Sequence, residues 1–314
     1  MRAVILGGTG AIGGAVAGRL AAAGWSVDVT GRDPGSMPQE LVVAGVRFHQ
    51  IDRSEVCAIE RLVGDGADLL VDLVAYRGAD VRALLPVMGS VASFVLISSR
   101  AVYVDADGRH LNGAEPPWFD GAISEDTATL PPAGDDVDPF SREGYAPSKV
   151  AAERVALDSG LPVTVIRPSK VHGRWARNPR TGLFVERMLR GDRTIKLADR
   201  GASIDHLTAA ANTAALVETV SGAPGRRVLN SADPDTPTAE QIVRTIGERL
   251  DWNGRLELLD AEAAPAAGEH PWRSAHPIVL DTSASERLGY APQGDALELL
   301  TQEVAWVAEQ FSAR

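Results

Sequence analysis

The heptapeptide Gly7-Gly8-Thr9-Gly10-Ala11-Ile12-Gly13 follows directly on the apolar run Ala3–Leu6 and opens the amphipathic stretch Ile12–Ala23. A strand that passes through glycines into a helix is the opening unit of an α/β nucleotide-binding fold. Gly7 lets the chain turn, Gly10 lets backbone amides approach a pyrophosphate, and Gly13 lets the helix pack on the strand, while the helix N-terminus attracts the phosphates. Glycine makes up 31 of the 314 residues, so the spacing alone arises by chance about 0.3 times in such a chain. Its position behind the first strand gives it weight, and makes Gly7, Thr9, Gly10, Ala11, Ile12 and Gly13 candidate cofactor contacts.

The rest of the first half repeats the alternation. Ser26–Thr30, Val46–Ile51, Leu69–Val74, Phe94–Ile97 and Val163–Ile166 are rich in Val, Ile and Leu, as parallel strands covered on both faces must be. Helical patterns at Glu55–Val63, Val81–Met88 and Tyr145–Leu157 lie between them. The expected fold class is α/β, a Rossmann-like doubly wound parallel sheet with right-handed crossovers. Residues 1–166 are expected to form the dinucleotide-binding part, with part of 199–229 returning to it. Residues 167–314 are expected to form mainly a smaller α/β substrate-binding lobe, because the order after Ile166 becomes mixed. There, helical patterns at Leu183–Arg190, Ala209–Val220, Ala239–Leu250 and Leu297–Gln310 alternate with short runs such as Arg227–Leu229 and Pro277–Leu280. Residues 104–142, acidic and interrupted by Pro116, Pro117, Pro131 and Pro132, read as a long loop. Such a loop either runs solvated over the surface or caps an active site, here with Trp118, Phe119 and Phe140.

With 45% hydrophobic and 23% charged residues, the chain has the apolar material for a full core, so no large part is expected to be disordered. Its 42 acidic against 31 basic residues leave a formal charge of −11, which repels a nucleic-acid backbone and an anionic membrane surface alike. Neither is an expected partner, and no apolar run approaches the roughly 20 residues of a bilayer span. The single cysteine, Cys57, cannot form an internal disulfide, and no basic region with a cleavable apolar segment precedes the first strand. The expected compartment is therefore the reducing cytoplasm.

The end of the second strand bears on the choice of nucleotide. NAD sites usually place an acidic side chain there for the ribose hydroxyls, whereas NADP sites remove that charge and supply an Arg for the 2′-phosphate. Here Val27-Asp28-Val29-Thr30 runs into Gly31-Arg32, which favours NADP, with NAD the second choice and Asp28 inside the strand. Tyr145 and Lys149 stand four apart on a predicted helix, so they share a face, and an ammonium near a phenol favours the phenolate. With only three lysines and four tyrosines in the chain, such a pair arises by chance with odds of about 4%. Phe94–Ile97 leads into Ser98-Ser99 at the carboxyl edge of the sheet, where a serine can hold a substrate oxygen while Tyr145 exchanges its proton. No His, Cys or carboxylate spacing matches a metal site, and neither serine lies in a Gly-x-Ser-x-Gly elbow.

Together these residues resemble the extended short-chain dehydrogenase/reductase superfamily, in its NAD-dependent epimerase/dehydratase family. The resemblance takes in Arg167-Pro168 through Val171-His172-Gly173, and Leu288-Gly289-Tyr290-Ala291-Pro292 near the end. It implies Ser99, Tyr145 and Lys149 as the catalytic triad, Asp52 at the adenine, Val74 and Ala75 beside the cofactor, Pro168 close to it, and a homodimer through the helix bearing Tyr145. Related 4,6-dehydratases place Asp-Glu where this chain has Arg100-Ala101, which argues against dehydration by that route. Ile204–Ala209, and Val104 and His172 in place of the usual Gly and Tyr, are further departures.

The expected function is NAD(P)-dependent hydride transfer between NADP(H) and a ketone, aldehyde or alcohol of a small molecule. The alternatives are a sugar-nucleotide epimerase that keeps its cofactor and, in another class, a non-catalytic cofactor-sensing or RNA-binding protein. Arg100 is expected either to reach the substrate cavity and meet an acidic substrate group, or to turn outward and pair with the acidic loop at 104–142. Arg174, Arg177, Arg180 and Arg187 form either a phosphate-binding face or a solvated one.

Overall fold

Runs of Val, Ile and Leu form parallel strands when helices cover both faces of the sheet. In the computed structural model, which describes residues 1–260 and 268–312, the first six strands are β1 (Arg2–Leu6), β2 (Ser26–Gly31), β3 (Arg47–Gln50), β4 (Ala67–Asp72), β5 (Val91–Ile97) and β6 (Val163–Pro168). They alternate with α1 (Ala11–Ala22), α2 (Gln39–Val43), α3 (Val56–Val63), α4 (Gly78–Met88) and α5 (Tyr145–Asp158). Then come β7 (Lys170–His172), α6 (Gly182–Leu189), β8 (Thr194–Leu197), β9 (Leu207–Ala209), α7 (Ala210–Ser221), β10 (Arg227–Ser231), α8 (Ala239–Arg249), β11 (Arg255–Leu258), α9 (Ser283–Glu286) and α10 (Ala296–Ser312).

Seven strands form one parallel sheet in the order β10-β6-β5-β4-β1-β2-β3. The order reverses beside β1, and a reversal of this kind opens a crevice at the carboxyl ends of the strands. Alternation along β1 feeds two cores: Ala3 and Ile5 join α1 and α7 on one face, Val4 and Leu6 join α3 and α4 on the other. Burying each such Leu, Ile or Phe contributes about 1.5–3 kcal/mol. The run Arg227–Leu229 returns to this sheet as β10, paired with β6. A third core, with Phe184, Ile195, Ile242, Trp272 and Leu300, packs among α6, α8, α10 and the β8–β11 pair.

Two expectations are corrected in detail. Pro277–Leu280 is not a strand but makes single bridges, Ile278 to Asp205 and Leu280 to Ile123, because each backbone neighbour is itself irregular. The long loop is also more tightly held than a solvated excursion. Tyr103 and Ile123 are buried with Ile278 and Leu280, and the Tyr103 hydroxyl donates to Asn230 Oδ1 at 2.6 Å. Among the described residues no helix is long and apolar enough to cross a membrane.

Candidate active site

Strand register builds the site. Leu6 pairs with Thr30 on one side and Asp72 on the other, so the carboxyl ends of β1, β2 and β4 stop side by side. A cavity of about 1330 Å³ opens over that edge. Gly7 turns with φ +88°, a region side chains rarely adopt, and a Cβ on Gly13 would sit 2.4 Å from the Gly7 carbonyl oxygen. At Gly10 a Cβ would meet nothing within 4 Å. Gly10 caps α1 without a side-chain hydrogen bond, so the first-turn N–H groups, with Thr9, Ala11 and Ile12 beside them, face the cavity. This cradle fits the pyrophosphate of a dinucleotide.

Asp28 lies within β2, as expected, and is fully occupied there. It accepts from Arg47 Nε at 2.8 Å and Arg2 Nε at 3.1 Å, and lies 2.8 Å from His49 Nε2. Burial alone would raise its carboxyl, but these partners bring it down to about 2. At the strand tip stands Gly31, where a Cβ would press on the Phe48 ring at 3.0 Å. The exposed Arg32 follows and lines the cavity, as does Asp52, and the Ser36 hydroxyl lies 3.2 Å from that of Thr9. Asp52 accepts from the Ser54 N–H and hydroxyl, which hold its carboxyl below the usual range.

At the far end of the cradle, Ser99, Tyr145 and Lys149 meet in the same cavity. Ser99 follows β5 and accepts from the Ala101 N–H at 3.2 Å, which fixes its hydroxyl at the rim. Tyr145 opens α5. One turn later the buried Lys149 donates through Nζ to the carbonyls of Ala75 at 2.8 Å and Ile97 at 3.0 Å, and lies 4.6 Å from the Tyr76 ring centre. Burial raises the Tyr145 phenol, and its hydrogen bond with Ser99 opposes that rise only in part. The downward pull expected from Lys149 is not among the influences on the phenol: its ammonium is held on two backbone carbonyls. Burial also lowers Lys149 to about 8, against the pull of Asp72, Glu153 and Asp80. At neutral pH the phenol keeps its proton and the lysine its charge.

Val74 and Pro168 line the cavity, but Ala75 does not: it is fully buried, and its part is to hold Lys149. Behind that turn stands Asp72, a fully buried carboxylate absent from the expected site. Its Oδ1 accepts the N–H groups of Val74 and Ala75 at 2.9 Å each, and its Oδ2 accepts from Arg53 Nε and Nη2 at 3.0 and 2.8 Å. An acidic residue inside the apolar run Leu69–Val74 was the one sequence signal that could have found it.

Arg100 lines the cavity and is buried, and it does not pair with the acidic loop. It donates to Ser169 Oγ at 3.0 Å and forms an ion pair with Asp205, which also pairs with Lys170. Burial would raise the Asp205 carboxyl, but Arg100 and then Lys170 hold it below its ordinary value. Of the arginines expected to act as a group, Arg177 and Arg180 line the cavity, while Arg174 and Arg187 form surface ion pairs with Glu40 and Asp192. The long loop reaches the cavity through Leu111, Asn112 and 139–142, where Phe140 packs on Tyr76 with ring centres 5.0 Å apart. Trp118 and Phe119 lie outside that lining, Trp118 against His276 and Phe119 against the Tyr103 cluster.

The sequence matches the NAD dependent epimerase/dehydratase family over residues 3–88 and the male sterility protein family over residues 79–219. No curated relative matches it. A dTDP-glucose 4,6-dehydratase from Bacillus anthracis, in complex with NAD, is 16% identical over 99% of this chain and 98% of that one, with a TM-score of 0.74. A UDP-glucose 4-epimerase from Thermotoga maritima, solved with UDP-glucose, is 19% identical over 99% and 100%, with a TM-score of 0.72. A UDP-glucuronic acid 4-epimerase from Bacillus cereus, with UDP-glucuronic acid and NAD, is 15% identical over 99% and 100%, with a TM-score of 0.71. At such identities the likeness is one of fold.

Proposed function

We propose that this chain, which matches the NAD dependent epimerase/dehydratase family over residues 3–88 and the male sterility protein family over residues 79–219, is a member of the extended short-chain dehydrogenase/reductase superfamily and an NAD(P)-dependent oxidoreductase acting on a small carbonyl compound or its alcohol. The observation that carries this reading is the convergence of Ser99, Tyr145 and Lys149 on a cavity whose other end is the glycine cradle. When bound, the dinucleotide supplies or accepts a hydride at nicotinamide C4. Ser99 Oγ holds the substrate oxygen, and Tyr145 Oη delivers the proton to it during reduction, a role suited to a phenol that burial keeps protonated. Lys149, fixed by Ala75 and Ile97, presents its charge to the nicotinamide ribose. Residues 1–166 would hold the cofactor, and 167–314 would mainly shape the substrate end, to which Lys170, Arg180 and Asp205 contribute.

NADP is the cofactor of this reading, with NAD second. Its support is Arg32 at the cavity wall, Gly31 where an acidic side chain would stand, and the commitment of Asp28 to its own sheet. A cytoplasmic homodimer through α5 belongs to the same reading. A second reading, a sugar-nucleotide epimerase using the same three side chains, is favoured by the fold it shares with epimerases solved with UDP-sugars. Replacing Tyr145 by Phe tests the chemistry: turnover should fall about 100-fold or more while cofactor affinity holds. Unchanged turnover in that variant would return α5 to a structural role and favour the non-catalytic alternative.

A further inference from the structure

We propose that the wall of the cavity beyond Ser99 is an anion subsite, built from Arg100, Lys170 and Arg180 around the fixed counter-ion Asp205. It selects substrates that carry a carboxylate or phosphate close to the reacting carbonyl. This rests on the reading of Ser99 and Tyr145 as the reacting end.

The charges do not balance. Arg100 and Lys170 both pair with the single carboxylate of Asp205, and all three are largely buried. Arg180, exposed at the cavity wall, lies within electrostatic reach of Asp205 and Arg100. It donates to the Val171 carbonyl at 3.1 Å and has no carboxylate within ion-pair distance among the described residues. Glu303 also acts on Arg180, but its oxygens already accept from Thr181 Oγ1 and the Gly173 N–H. Arg273, also at the cavity wall, is matched by Asp199 and Glu269. Two largely buried cations on one carboxylate leave an excess of positive charge that is costly unless an anion meets it, and the exposed Arg180 adds to the field at the mouth.

The geometry fits a ligand. Asp205 and Ser169 engage Nη1 of Arg100, leaving Nε and Nη2 as a fork of the kind that grips carboxylate or phosphate. Arg100 is the neighbour of Ser99, and successive Cα atoms lie about 3.8 Å apart. One small molecule can therefore rest its carbonyl oxygen on Ser99 and Tyr145 and its acid group on Arg100. Asp205 keeps the guanidinium oriented and repels a substrate turned the other way.

Calorimetric titration tests this on the protein saturated with NADPH, which fills the glycine cradle, and in parallel on the cofactor-free protein. The probes are malonate, inorganic phosphate and the neutral malonamide. Malonate or phosphate should bind at least about tenfold more tightly than malonamide. That preference should be lost in Arg100→Met and in Lys170→Met, and strengthened in Asp205→Asn, which removes the competing carboxylate. Malonate above phosphate identifies a carboxylate-bearing substrate, and the reverse a phosphate ester. Equal binding of malonamide, no anion binding, or anion binding indifferent to all three substitutions overturns the subsite. Tyr145→Phe should leave malonate affinity unchanged, so failure of the catalytic reading shows in turnover and failure of the subsite in binding.

Discussion

Lys149 is the residue on which the site's pH behaviour turns. Burial lowers it from the ordinary 10.5 to about 8, so between those values the unfolded chain binds the extra proton and stability rises with pH. The cost of the buried ammonium is thus full below about 8 and gone above 10.5. Activity that needs the charge runs the other way, with a basic limb near 8 in the free enzyme. Asp72 is the strongest of the groups that resist the shift, so Asp72→Asn should move that limb to lower pH. It should also cost about 3–5 kcal/mol by leaving Arg53 without its buried partner. A pH-rate profile whose basic limb stays in place would refute the positioning role of Asp72. At the other end of the cavity, Arg32→Ala should weaken NADP about tenfold or more and NAD far less, since a charge-assisted contact to phosphate is worth about 1.5–3 kcal/mol. Calorimetry that finds NAD the tighter ligand of the unaltered protein would reverse that assignment. Tyr145 and Lys149 stood out in the sequence by their spacing and Ser99 by its place after an apolar strand, and the three line one cavity. Asp72, Lys170 and Asp205 did not stand out, because their meaning lies in partners such as Arg53, 19 residues away from Asp72, and Arg100.

Helix α5 must be held in place for Tyr145 and Lys149 to act, and its inward anchor is a buried fork. Arg167 on β6 donates through Nε and Nη2 to the two oxygens of Glu153 at 3.0 and 2.6 Å, and lies 4.8 Å from the Tyr103 ring centre. Removing one partner strands the other charge, so Glu153→Gln should lower unfolding free energy by about 3–5 kcal/mol in urea titration. A loss within about 0.5 kcal/mol, the size of a surface change, would mean the fork does not anchor the helix. The strands and long helices were legible because β-branched runs and a period near 3.6 are local signals. Residues 104–142 were legible as a loop but not in their internal order, which comes from Asn230, Ile278 and Leu280, more than a hundred residues on.

Across the whole molecule, the register of β1 with β2 and β4 sets the cradle beside the crevice, and β5 brings Ser99 to the same edge. The opening glycines already implied that arrangement, whereas the choice between net hydride transfer and epimerisation depends on whether the cofactor exchanges. Following reduced-nicotinamide absorbance and product together, in the presence of NADPH and a panel of small carbonyl compounds and UDP-sugars, decides it. The account predicts one NADPH oxidised for each carbonyl reduced. A sugar epimer formed with no net change in absorbance would contradict it.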